Sequence, residues 1–162
     1  MSYLRQPSSQ THHQIDLARH LIRVLAKPAH TQNSGPMPTI LLVDNDPLQA
    51  FLRKSILERR FRDVQRVGDA AEALCLVEQP QFAENLALVI SGLHMPGIGG
   101  PEFVAELHSR LPHVPILVLG SPSEPAANYD FGWIRFLACP FAIDEMLRVA
   151  SQMLLQNASS AA

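Results

Sequence analysis

The chain has 162 residues, of which 47% are hydrophobic and 17% charged, and its formal net charge is −2. That length and balance allow one ordinary domain with its own core and some excess, and they exclude a disordered or low-complexity chain. Charge is uneven: residues 1–36 hold Arg5, Arg19, Arg23 and Lys27 against Asp16 alone, so the remaining body is acidic, the wrong sign for a nucleic-acid footprint.

Ile15, Ala18, Ile22 and Leu25 fall on one helical face, which predicts an amphipathic N-terminal helix ended before Pro28. A boundary follows at Ser34-Gly35-Pro36-Met37-Pro38. Residues 1–36 are therefore expected to be an extension with a flexible linker, 37–157 the main domain, and 158–162 a short tail. MPTILLVDND is also an ordinary start for a strand-first domain, which makes residues 1–36 a candidate gene-model extension.

Thr39–Val43 (TILLV) is continuously apolar, as a strand buried on both faces should be. Asp46-Pro47 supplies a helix N-cap and a proline at N1, and the helix runs on through Leu48, Phe51, Leu52, Ile56 and Leu57. A weaker strand is expected over 64–67, a helix over 70–78, and a strongly apolar strand over 86–91. Gly100-Pro101 opens a helix through Phe103, Leu107 and Leu111, and a further strand covers 115–119. Pro122, Pro125 and Gly132 leave little room for a helix in the next segment. Ile134–Ala138 reads as a fifth strand, and 142–156 as a last helix with Ile143, Met146, Leu147, Ala150, Met153 and Leu154 turned inward.

Five strands alternating with helices predict an α/β fold, a five-stranded parallel sheet wound on both faces, with its first strand near the middle. Cys75, inside ALCLV, is expected in the core, and Cys139 is expected to be inert because no basic neighbour in sequence lowers its pKa. Neither cysteine belongs to a disulfide or zinc pattern. No run is long enough to span a bilayer, and Arg19, His20 and Arg23 interrupt the only hydrophobic stretch near the N-terminus. A cytoplasmic protein without membrane or nucleic-acid partners is the expectation.

The strand ends share one rim: VDND after strand one, SG and HMPGIGG after strand three, GS after strand four, and CPF after strand five. These motifs in this order, with VGDAAEAL before and into the second helix, resemble the receiver domain of two-component response regulators over residues 38 to about 157. The resemblance implies a flavodoxin-like fold. It also implies an aspartate after strand three that accepts a phosphoryl group from a histidine kinase. A magnesium ion on an acidic pair, a hydroxyl after strand four and a lysine after strand five would stabilise the transferred charge.

The same alignment puts Gly92 at the phosphoacceptor position, Gly120 at the hydroxyl and Cys139 at the lysine. Asp44 keeps the first place of the acidic pair and Asn45 holds the second, a vestigial magnesium site at most. Phe136 stands at the strand-five aromatic that the family's switch couples to the hydroxyl. Covalent transfer needs an attacking atom, and position 92 has none. The resemblance therefore implies a degenerate, stand-alone pseudo-receiver, not an enzyme, acting on a histidine kinase or other signalling protein by protein–protein interaction. Two alternatives stay open: phosphorylation of a substitute residue (Ser91, His94 or Ser121), or a thiol-based sensor at Cys139. Ser91 should face away from the position of a side chain at 92, since neighbours on a strand alternate. Arg53, Lys54, Arg59, Arg60, Arg62 and Arg66 form either a solvated basic face or a dock for an acidic partner.

Overall fold

The computed structural model describes residues 37–124, 129 and 132–160. The amphipathic helix expected within residues 1–36 lies outside the described residues, as does part of the segment between strands four and five. Five strands form one sheet: β1 (Thr39–Val43), β2 (Asp63–Val67), β3 (Leu86–Gly92), β4 (Ile116–Gly120) and β5 (Ile134–Ala138), in the order β2-β1-β3-β4-β5, all parallel. The helices are α1 (Pro47–Leu57), α2 (Ala70–Val77), a short α3 (Pro80–Ala83), α4 (Gly100–Arg110) and α5 (Ile143–Ser160). Among the described residues, no helix is long and apolar enough to cross a membrane.

All five residues of β1 and of β4 are buried, and this explains their unbroken apolar runs. Ile40, Leu42, Leu88, Ile90 and Leu117 point to one face, where they pack with Leu57 of α1 and Met146, Ala150 and Met153 of α5. Leu41, Val43, Val89 and Val118 point to the other and meet Ala73 and Val77 of α2 and Phe103 and Leu107 of α4. Alternation within each strand thus feeds two cores at once. The chain reverses its direction of winding between β1 and β3, so their carboxyl ends border the crevice where such sheets carry their sites.

Local caps follow the sequence. Asp46 Oδ1 accepts from the Leu48 and Gln49 amides, both at 2.9 Å, and Asp69 caps α2 through the Glu72 amide. The turn after β3 needs Gly97, whose φ is +90°, a conformation side chains disfavour. Gly100 enters α4 against the β3 exit: a Cβ there would sit 2.8 Å from the Leu93 carbonyl oxygen. Gly100→Ala should therefore cost about 1–3 kcal/mol by overpacking, measured as a lowered urea midpoint at constant slope.

Three sequence expectations need correction, and one short element was not foreseen. Cys75 is exposed: α2 turns Ala70, Ala73 and Val77 inward, and a rotation of about 100° per residue carries position 75 to the far side. Ile143 is 47% exposed, because the inward stripe of α5 begins one turn later at Met146. That helix continues to Ser160, taking up residues assigned to the tail. Residues 80–83 form a helical turn the sequence pattern did not suggest, opened by Pro80 at its first position.

Candidate functional site

The rim is built from the exits of β1, β3, β4 and β5. Register sets Val43 beside Ser91, Gly92 beside Leu119, and Gly120 beside Ala138. Position 92 therefore lies between the Asp44 loop and the β4 exit. A Cβ on Gly92 would have only the Val43 carbonyl oxygen near it, at 3.7 Å, so the backbone there could carry a side chain and does not. Ser91 is buried, and its hydroxyl donates to the Gly92 carbonyl at 2.8 Å.

Asp44 is buried at the end of β1, and both its oxygens are engaged. Oδ1 accepts from the Asp46 amide at 3.0 Å, and Oδ2 accepts from Nη1 of Arg53 on α1. The other arm of the guanidinium, Nη2, donates to the Cys139 sulfur at 3.7 Å. One arginine therefore spans the rim from β1 to β5 and places its fixed charge between Asp44 and Cys139. The side chains of this pair are only 14% (Arg53) and 5% (Asp44) exposed, so solvent screens the attraction little.

Cys139 gained a basic neighbour that sequence did not show, 86 residues away in the chain. Burial nonetheless pushes its thiol pKa up. The charge and hydrogen bond of Arg53 pull it partly back, while Asp44 and Glu124 push it further up. The thiol form is favoured at neutral pH, which weighs against a reactive thiolate.

The magnesium chemistry implied by the resemblance does not fit this donor set. Magnesium takes a near-octahedral shell of hard oxygens. Here Asp44 is occupied by a guanidinium, Asn45 supplies an amide in place of a carboxylate and is exposed, and position 92 offers no carboxylate. Among the described residues, no cluster of three metal-ligating side chains occurs.

The β4 exit is filled in a different way. A Cβ on Gly120 would lie 2.4 Å from Glu124 Oε2 and 2.7 Å from Phe136 Cε2. The space a side chain would use is thus taken by a carboxylate and an aromatic ring. Glu124 Oε2 accepts from the Ser121 amide at 2.8 Å, and its Oε1 meets His94 Nε2 at 2.9 Å. Phe136 stacks on the buried Tyr129, ring centres 5.8 Å apart. Burial, with Glu124 and Glu102 nearby, holds the Tyr129 hydroxyl above its usual pKa.

The geometry brings together the residues singled out at positions 44, 92, 120, 136 and 139, and Asn45 lies exposed beside the loop after β3, lining a cavity with Pro96 and Gly97. Sequence reasoning missed Arg53 and Glu124. Arg53 stood out only as one of several basic residues near α1, and nothing local distinguished it. Glu124 did have a signal: Ser121-Pro122-Ser123-Glu124 has the spacing of a capping box.

Comparison with known proteins agrees with this architecture. The response regulator receiver domain family matches residues 40–151. Response regulator MprA of Mycolicibacterium vanbaalenii is 34% identical over 112 residues, covering 67% of this chain and 46% of the relative. The DNA-binding dual master transcriptional regulator RpaA of Synechocystis is 30% identical over 118 residues, covering 68% and 46%. The chain thus spans about half the length of the curated relatives it matches. The crystal structure of the signal receiver domain of an HD domain-containing protein from Pseudomonas fluorescens superposes with a TM-score of 0.67 at 28% identity, covering 76% of this chain and 98% of that one. Order of strands, rim motifs and matched span agree: the chain belongs to the receiver domains of response regulators, the signal-receiving modules of two-component systems.

Proposed function

We propose that this chain is a degenerate receiver that takes part in two-component signalling by binding a partner, without carrying a phosphoryl group at position 92. The observation that carries this reading is the rim itself, where Gly92 supplies no nucleophile and Arg53 holds Asp44, the acidic member left of the pair after β1. Phosphoryl transfer rests on positioned groups and charge stabilisation. With Gly120 and Cys139 at the hydroxyl and lysine positions, neither of those contacts is available.

Binding would run through surfaces. Leu48, Phe51 and Leu52 on α1 are 65%, 63% and 47% exposed, and Ile143 of α5 is 47% exposed. The first three follow helical i, i+3, i+4 spacing and form one apolar stripe. Lys54 on the same helix is paired with Glu58, and Arg59 and Arg60 follow the helix end and are exposed. An apolar stripe with a basic border suits a helical partner with an acidic rim, such as a histidine kinase or another signalling protein.

Incubation with acetyl phosphate and magnesium, followed by intact-mass measurement, tests the central point. The wild-type mass should stay unchanged. A stoichiometric phosphate adduct would overturn the proposal, and peptide mapping would then show whether Ser91, His94 or Ser121 had accepted it.

A further inference from the structure

We infer that Glu124 is an internal latch that keeps the β4 exit and the Phe136–Tyr129 pair in one packed arrangement, whatever signal reaches the protein. The inference deepens the proposed function, and it rests on taking Gly120 and Phe136 as the positions through which a receiver would switch.

Three hydrogen bonds build the turn, and one of them ends on the Glu124 carboxylate. Oε2 accepts from the Ser121 amide, three residues back, and Ser121 Oγ accepts from the Ser123 amide at 3.3 Å. The Glu124 amide also closes the turn on the Ser121 carbonyl at 3.0 Å. The Glu124 side chain reaching back to the Ser121 amide is one half of a capping box, and it explains why the carboxylate folds back. It does not explain where the carboxylate can go. That depends on Gly120: any Cβ there would lie 2.4 Å from Oε2, well inside the contact distance of two non-bonded atoms. Only a glycine lets the acid close over the end of β4.

The consequence extends to strand five. The same empty Cβ position admits the edge of the Phe136 ring, which stacks on Tyr129. The Gly120 carbonyl accepts from the Cys139 amide at 2.7 Å, so the latched residue is also tied to the β5 exit. The outer oxygen reaches His94 in the loop after β3. His94 is 83% exposed, so that arm is screened and minor. The main hold is the amide–carboxylate bond with the ring packed beside it. Negative charge and aromatic packing are thus supplied at this place by the chain itself.

Amide hydrogen exchange and ring-proton contacts in the whole protein test the latch. Removing the acceptor with Glu124→Ala should speed exchange of the Ser121 amide by about tenfold or more, relative to the Leu42 and Leu88 core amides. Glu124→Gln keeps an oxygen acceptor and should retain most of the protection. Gly120→Ala keeps Glu124 in the chain but displaces its carboxylate, and should raise Ser121 exchange as Glu124→Ala does. Both variants should weaken the Phe136–Tyr129 ring contacts, whereas His94→Ala should change exchange less than about twofold. If Glu124→Ala and Gly120→Ala both leave Ser121 exchange and the ring contacts at wild-type values, the latch does not exist. The core amides report separately on loss of the fold, and the mass measurement above reports separately on phosphorylation, so the two proposals can fail independently.

Discussion

Arg53→Ala should destabilise the domain by about 3 kcal/mol, because removing one member of a buried ion pair strands the other. Asp44 is the group left behind, at the end of a fully buried strand, with only the Asp46 amide as a donor. The double variant Asp44→Ala/Arg53→Ala should recover much of that loss, since it removes both charges together. The quantity of interest is the coupling energy of that cycle, read from urea midpoints. Additive single effects would mean that the pair does no work in the fold. Magnesium at millimolar concentration should leave the wild-type midpoint unmoved, because a ligand stabilises only a state it binds.

Gly92→Asp restores the missing nucleophile and should still give almost no phosphorylation. The backbone accepts the side chain without a clash, the nearest atom to the added Cβ being a carbonyl oxygen at 3.7 Å. Stability should therefore stay within about 1 kcal/mol of wild type. The barrier lies elsewhere. Removing a single charge-stabilising donor from a transition state typically costs about 10²–10³ in rate, and here the hydroxyl and ammonium are both absent. A rate about 10⁴-fold or more below that of a receiver retaining both groups follows, measured by timed intact mass with acetyl phosphate. Rapid, complete phosphorylation of Gly92→Asp would show that Gly120 and Cys139 were never the obstacle.

The strands were readable because burial on both faces forces continuous apolar composition, as in TILLV and ILVLG, and because Pro and Gly punctuate their exits. Receiver-like turns were readable for the same reason, since HMPGIGG contains the residue that a φ of +90° favours. What escaped depended on three-dimensional proximity. Arg53 finds Cys139 across 86 positions, and no local pattern encodes that meeting. Cys75 and Ile143 escaped for a simpler reason: both sit in apolar neighbourhoods, and only the phase of a real helix decides which of several hydrophobic residues faces in. The last turn of α5 lacks apolar periodicity, so its small polar residues read as tail although the helix carries on through them.

The bare backbone at position 92 also has a consequence for how information could be carried. A protein marked by a covalent group keeps a record of its last encounter until that group is hydrolysed. Without an atom to mark, the proposed function leaves no such record, and occupancy of a partner follows the amount of chain relative to the dissociation constant. A tenfold rise in abundance then does what about 1.4 kcal/mol of modification-driven affinity would do. Synthesis and proteolysis would take the place of kinase and phosphatase, and the protein would report its own concentration.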